Sequence, residues 1–309
     1  APSDEWYHYA AASNYGDEFD MNDLGYMKRN GFNELYASSR HDRLQYAPES
    51  KILSSNTKLE YGYKETTEGD RLSLWTEVDH TWIFRSTRTL SFEAGLIAAS
   101  NDDRITRGNG LLATPARYSL ETRYASPRGN DFTYDTELEV KYDSQQKRSV
   151  DLVFRPQLYL SETLTLGGEF SYKNLQEWLI WDFDTEQLAG FKTERLNADI
   201  RFDWYPSSRQ EVRLKFQWVG IDAKQVDSYQ LNGNGSLQLS SSAASDFSLS
   251  DTALQVRYRY QLAPLSDIFL VYSRGGYFTS DDGDEGGRTL LREGWDGVQV
   301  ESIIAKIRY

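Results

Sequence analysis

The chain has 309 residues and a formal net charge of -13, which argues against nucleic-acid binding because that function requires a basic patch. Cysteine is absent, so disulfides and thiolate metal sites are excluded. The mean hydropathy is -0.66, yet aromatic residues make up 14% of the chain, a composition that argues against disorder.

Alternation of apolar and polar residues predicts β-strands from the first residues to the last. At 212–218, for example, Val, Leu, Phe and Trp alternate with Arg, Lys and Gln. The predicted strands are 4–16, 31–43, 52–64, 71–84, 88–101, 114–125, 131–143, 148–160, 163–182, 187–205, 209–227, 251–262, 266–279 and 297–309. Helical patterning is nearly absent, because the helix-like stretch 290–293 is short and surrounded by glycine.

This pattern predicts an all-β fold, a closed antiparallel transmembrane β-barrel of about 14 strands that forms a single domain over 1–309. No stretch approaches the ~20 apolar residues of a membrane-spanning helix. Short turns alternate with long acidic loops, which predicts both termini at the periplasmic end and the long loops outside the cell. The alternative is a soluble β-sandwich, whose outer face would be polar.

The last strand ends on an aromatic residue, Tyr309, as do the assembly signals of outer-membrane barrels. Tyr309 is therefore the predicted signal for the barrel-assembly machinery. Ala1 is not followed by a charged start and an apolar signal core, so we expect a removed signal peptide or further sequence upstream.

Two stretches carry a family resemblance: the segment from Phe19 to Arg29, and the strand from Leu254 to Tyr260 with the following hairpin from Pro264 to Arg274. Together they resemble an uncharacterised family of outer-membrane β-barrel proteins. Members of that family carry an N-terminal sandwich similar to family-9 carbohydrate-binding modules. The resemblance implies that only the C-terminal barrel is present in this chain, and it implies no activity.

If the apolar faces meet lipid, the polar faces line a lumen. Acidic residues on one strand and basic residues on others then form opposed walls, whose transverse field selects polar or zwitterionic solutes. The alternative is that the charges pair across neighbouring strands and fill the lumen. The predicted lumen-lining residues are Glu137, Glu139, Lys141, Arg155, Glu169, Lys173, Arg195, Asp199, Arg201, Asp203, Arg213, Lys215, Arg257, Arg259, Lys306 and Arg308.

The sequence predicts no catalytic residue, no metal site and no cofactor. The three histidines, His8, His41 and His80, accompany no nucleophile-elbow pattern. The acidic loop at 280–287 departs from the spacing of an EF-hand, which favours a solvated loop. The apolar segment at 16–30 gives one hypothesis, that it folds back inside the barrel or against a partner.

The predicted function is an outer-membrane channel for small polar solutes, with saccharides suggested by the sandwich of the related proteins. The alternative is a structural or assembly barrel that anchors a periplasmic or surface protein without conducting. The expected partners are outer-membrane lipid and lipopolysaccharide, the barrel-assembly machinery and such an anchored protein, with no nucleic acid.

Overall fold

The computed structural model describes residues 4–19, 29–142, 145–241 and 244–309. Within these ranges the chain forms strands and one helix, and β-branched and aromatic residues at alternate positions favour the extended backbone. The elements are β1 (Asp4–Tyr15), β2 (Phe32–Arg43), β3 (Ile52–Thr66), β4 (Arg71–Phe84), β5 (Thr89–Ile97), β6 (Ser100–Asp102), β7 (Leu112–Thr114), β8 (Arg117–Ala125), β9 (Phe132–Tyr142), β10 (Arg148–Ser161), β11 (Leu164–Asp182), β12 (Gln187–Ser207), β13 (Gln210–Leu231), β14 (Leu237–Ser240), β15 (Phe247–Ala263), β16 (Ser266–Ser280), α1 (Gly287–Asp296) and β17 (Val298–Arg308).

The strands form one antiparallel sheet in which neighbours in sequence are neighbours in space, so the all-β antiparallel prediction is confirmed. Within the described residues the path through the sheet contains fourteen strands, from β1 through β5, β8 to β13 and β15 to β17. β14 pairs only with β13, and β6 and β7 form a separate hairpin between β5 and β8.

Closure of the sheet is the point at which the described structure differs from the predicted barrel. Over the described residues β1 and β17 are the two ends of the path and do not pair with each other. Both are therefore edge strands with a free row of backbone hydrogen-bonding groups, and the closed barrel remains a prediction.

The two faces of the sheet differ in chemistry and in exposure, and the more exposed face is the apolar one. Leu120 is 56% exposed, whereas the next residue, Glu121, is 8% exposed. Leu152 is 45% exposed and lies on the same apolar face as Leu120, one register row away. A soluble sandwich has the opposite arrangement, with its apolar face buried and its polar face in water.

The sequence-based prediction of no helix near 290–293 is wrong, because α1 spans Gly287–Asp296. The glycines that argued against a helix permit close approach to the sheet. Gly294 is buried, and a Cβ on the facing Gly276 of β16 would collide with the carbonyl oxygen of Gly294. Leu290, 1% exposed, packs beside Gly220 of β13, so tertiary packing overrides the weak local propensity.

The loops at the end of the sheet opposite the short turns contact one another. Arg29 donates two hydrogen bonds to the carboxylate of Asp103, at 2.8 and 2.6 Å, and thereby ties the connection before β2 to the β6–β7 hairpin. Leu112 of that hairpin packs against Trp181 and Leu188 of the long strands β11 and β12. Most of the segment at 16–30, for which a fold-back inside the barrel or against a partner was the hypothesis, lies outside the described residues, which exclude 20–28.

The described part of the chain contains no helix that is both long and apolar enough to cross a membrane.

Candidate functional site on the polar face

The predicted lumen-lining residues all lie on strands and share one face of the sheet. The register shows this directly: Asp203 of β12 is opposite Arg213 of β13, which is opposite Arg257 of β15. Likewise, Glu139 of β9 is aligned through β10 and β11 with Arg195 of β12. We call this surface the polar face.

An acidic row crosses the polar face from β4 to β10. In this row each residue is directly opposite the next, and the members are Asp79, Glu93, Glu121, Glu139 and Asp151. Like charges in directly opposed positions destabilise a sheet, so a row of this length is unexpected unless the charges have another use. Cations relieve part of the repulsion: Arg123 contacts Glu121 and lies 3.2 Å from Glu93.

A basic group lies on the polar face of β12, β13 and β15. One cleft of about 280 Å³ lies among these strands. Its lining includes four basic residues and one acidic residue, namely Arg201, Arg213, Lys215, Arg257 and Asp203. The cations share their counter-ions. Asp199 pairs with both Arg201 (2.7 Å) and Lys215 (3.6 Å), and Glu211 pairs with both Arg213 (2.5 Å) and Arg257 (3.0 Å).

Asp267 of β16 is a further acid that is shared by two cations, and it lies beside the last strand, β17. Its carboxylate is fully buried, receives a hydrogen bond from Arg259 of β15 and also pairs with Arg308 of β17. One acid therefore joins three consecutive strands at the short-turn end of the sheet. The backbone pairing of β16 with β17 runs from Asp267 to Gly276, so this ion pair lies at the last rung of the ladder.

The acidic and basic groups meet on the strands between them. Arg155 of β10 binds Glu169 (2.8 Å) and Glu137 (3.4 Å), Lys141 binds Glu139 (2.7 Å), and Lys173 binds Asp151 (3.2 Å). Local pairing is thus extensive, as the alternative interpretation of the lumen requires. Even with this pairing, the polar face has more acidic than basic residues on β4 to β8, and more basic than acidic residues on β12 to β15.

Sequence reasoning missed two of the residues that organise this face, Glu211 and Asp267. Glu211 continues the alternation of Arg213 and Lys215 by one step, but it precedes the first apolar residue of that run, Val212. Asp267 follows the turn that joins β15 to β16, where an acid is ordinarily solvated. Its burial depends on Arg308, 41 residues further along the chain.

The histidines and the terminal residue lie elsewhere. His80 is on the apolar face, where its Nδ1 is 2.7 Å from the Thr57 hydroxyl and its ring contacts Trp82. His41 stacks on Trp6 at the β1 edge. Tyr309 is almost fully exposed. In the described ranges no group of three or more acidic or histidine side chains is arranged to hold a metal ion.

Comparison with known proteins adds a family and two distant structural likenesses. The family model described as "Domain of unknown function (DUF5916)" matches residues 2–286. The copper transporter OprC matches with 10% identity and a TM-score of 0.41 over 90% of this chain and 57% of its own. The siderophore receptor PirA from Acinetobacter baumannii matches with 9% identity and a TM-score of 0.39, over 94% of this chain and 57% of its own.

The chain therefore spans less than two thirds of the length of those two structures. No curated protein matches the chain.

Proposed function

We propose that this chain, which belongs to the DUF5916 family, is an outer-membrane β-barrel that conducts small polar solutes. The observation that carries the proposal is the inverted exposure of the two faces. Large apolar side chains such as Leu96, Leu120, Leu138 and Phe170 are exposed, while the charged side chains between them are crowded together. Burying exposed apolar area gains about 25 cal/mol per Å², so this face needs a lipid-like surrounding.

In the proposed barrel the apolar face contacts lipid, β1 pairs with β17, and the polar face surrounds the passage. The short turns and both ends of the chain are then periplasmic, and the long loops are outside. Closed barrels of 8 strands are filled by side chains and those of 16 leave a channel, so about 14 strands lie near the open end of this range.

The distribution of charge supports selection of polar and zwitterionic solutes. β5 carries Glu93 and β15 carries Arg257, and these are the fifth and twelfth of the fourteen strands in the described path. Closure of such a ring places them on opposite sides of the passage, with Glu93 four residues from the short-turn end of β5 and Arg257 six residues from that of β15. The transverse field between them orients a dipolar solute such as an amino acid, and polar uncharged solutes such as saccharides also fit this passage.

The second candidate is a non-conducting barrel that anchors a partner protein, and the dense ion pairing around Arg155 favours it. Reconstitution in planar bilayers separates the two, because a channel gives discrete current steps and a filled barrel gives none. Membrane insertion is tested first on unboiled detergent gels, where a folded barrel migrates differently before and after heating. A chain that stays soluble without detergent and migrates identically contradicts both candidates.

Paired charge variants test the role of the two walls. We expect E93Q/E121Q to move the reversal potential in a salt gradient toward anion selectivity, and R213Q/R257Q to move it toward cation selectivity. The matched control is R288Q/R292Q, which removes two charges from α1 on the apolar side and should leave the reversal potential unchanged. Equal potentials in all four proteins would contradict selection by these walls.

A further inference from the structure

α1 is fixed to the apolar face of the sheet, the side that the proposed function assigns to lipid. Its buried residues Leu290 and Gly294 face β13, β15 and β16. Thr252 of β15 donates a hydrogen bond to the Gly294 carbonyl at 2.9 Å, and the indole N–H of Trp218 on β13 donates to the Ser250 hydroxyl at 3.0 Å. The helix is therefore a packed part of the sheet surface.

The helix begins where the apolar row of the neighbouring strand ends. On β12 the side chains of the apolar face run from Trp204 at the short-turn end up to Leu196, and the next two on that face are Glu194 and Lys192. Leu196 lies directly beside Gly287, the first residue of α1. Trp295, near the last turn, lies against Phe216 and under the guanidinium of Arg274, at 4.4 Å. The helix thus marks the upper boundary of the apolar band.

The side of α1 that faces away from the sheet carries Arg288, Leu291 and Arg292, all exposed. Arg288 makes no ion pair with any described residue. Arg292 binds only the adjacent Glu293, an exposed contact of the kind that contributes little. Glu293 is half-buried, and Asp296 is the exposed acid of the helix. Two arginines one turn apart, with a leucine between them, match the pattern of helices that lie in a membrane interface.

We propose that Arg288 and Arg292 bind the phosphate groups of a phosphorylated outer-leaflet lipid of the lipid A type, with Leu291 in contact with its acyl chains. The assignment rests on the proposed function, since it requires the apolar face to be in a membrane. Guanidinium groups bind phosphate oxygens in bidentate geometry, and residues one turn apart are ~6 Å apart at Cβ, so both reach one headgroup. Anionic lipid attracts each such cation at the boundary of the apolar band.

The test uses the folded full chain in vesicles that contain bisphosphorylated lipid A, dephosphorylated lipid A or only phosphatidylcholine. Retention of the labelled lipid is measured after detergent extraction. We expect the wild-type protein to retain bisphosphorylated lipid A, and R288Q/R292Q to retain about tenfold less. R104Q/R107Q, which removes two exposed arginines between β6 and β7, is the matched control and should behave as wild type. Inorganic phosphate at the same concentration should not displace the lipid.

Three outcomes overturn the assignment. Equal retention of phosphorylated and dephosphorylated lipid by wild type shows that the phosphate is not recognised. Full retention by R288Q/R292Q shows that the arginines are not the site. Displacement by inorganic phosphate points to a free-anion site instead. A chain that inserts into none of the vesicles, judged by its heat-dependent gel migration, overturns the proposed function as well, so the two failures are distinguishable.

Discussion

At the scale of single residues, the buried carboxylate of Asp267 has the clearest structural role. It is the shared partner of Arg259 and Arg308, and without it two guanidinium groups at the edge strand lose their acceptor. Both arginines remain more than one third exposed, so water compensates part of the loss. We expect D267N to lower the free energy of unfolding by about 1–3 kcal/mol, measured by urea titration in detergent micelles.

The matched control for that substitution is D203N. Asp203 also forms an ion pair with an arginine, but its partner Arg213 keeps a second acid, Glu211, at 2.5 Å. The change should therefore be small, within about 1 kcal/mol. Equal effects of the two substitutions would show that the position beside the last strand has no special importance.

Asp103 gives a prediction that depends on pH. The two hydrogen bonds from Arg29 hold the pKa of the Asp103 carboxyl below its ordinary value. A carboxyl whose pKa is lowered in the folded state contributes stability above its unfolded pKa of about 3.9, and this contribution is lost as the pH falls through the folded value. Protection of the β6–β7 hairpin from hydrogen exchange, corrected for the intrinsic rate, should decrease over that acidic window.

The corresponding substitution tests the same contact at neutral pH. In R29Q we expect trypsin to cleave after Arg104 and Arg107 several times faster than in wild type, because the hairpin is released from the connection before β2. R128Q, in the short turn between β8 and β9, is the control and should leave that rate unchanged. An unchanged rate in R29Q would mean that the hairpin is held by its apolar contacts alone.

At the scale of elements, the docking of α1 depends on glycine in the strand below it. A methyl group at position 276 collides with the helix backbone, which cannot move aside as a side chain does. We expect G276A to cost about 1–3 kcal/mol of stability and to expose Trp218, seen as a red shift in fluorescence. G233A, in open space within the β13–β14 turn, should change neither. Wild-type behaviour of G276A would contradict the close packing of α1.

The strands themselves were predictable from sequence, and α1 was not. Alternation over many residues, as from Val212 to Trp218, is a signal that each strand carries within itself. The glycines around α1 indicate a loop when only local propensity is considered. Their purpose becomes visible only when Gly276 is known to lie beneath Gly294, and no spacing in the sequence encodes that contact.

The candidate site, too, was predictable from the sequence only in part. The charged residues of the polar face follow from alternation, since residues two apart share a face. The partners of these residues do not follow from alternation, because they depend on the register between strands. That register places Glu93 opposite Glu121 and allows Glu211 to form ion pairs with both Arg213 and Arg257. The sequence therefore predicted two walls of charge, whereas the structure has a graded surface with counter-ions throughout.

At the scale of the whole molecule, the two free edges carry matching side chains. Ile304 of β17 is 59% exposed and Tyr9 of β1 is 60% exposed, and both belong to the polar face of the sheet. At the short-turn end, Glu5 of β1 and Arg308 of β17 have opposite charges. An antiparallel pairing that brings Glu5 beside Arg308 also brings Tyr9 beside Ile304.

The absence of cysteine allows a direct test of this closure. We expect a Y9C/I304C variant to form an intramolecular disulfide on mild oxidation, because paired strands bring Cα atoms within about 5.5 Å. Y9C/I303C places the second thiol on the opposite face and should form little. Dimers linked between chains, or no disulfide in either variant, would mean that β1 and β17 do not close the barrel on each other.

The strands of the described sheet are of very unequal length, which gives the proposed barrel a lopsided outline. β5 and β8 have 9 residues each, while β12 and β13 have 21 and 22. At ~3.3 Å per residue and a tilt of ~40°, the short strands rise ~23 Å and fall just short of an apolar band of ~25 Å, whereas the long ones rise ~30 Å beyond it. Seen by atomic force microscopy from the cell exterior, such a molecule would be a low ring with a single crest. Antibodies or bacteriophages approaching the cell would meet that crest first.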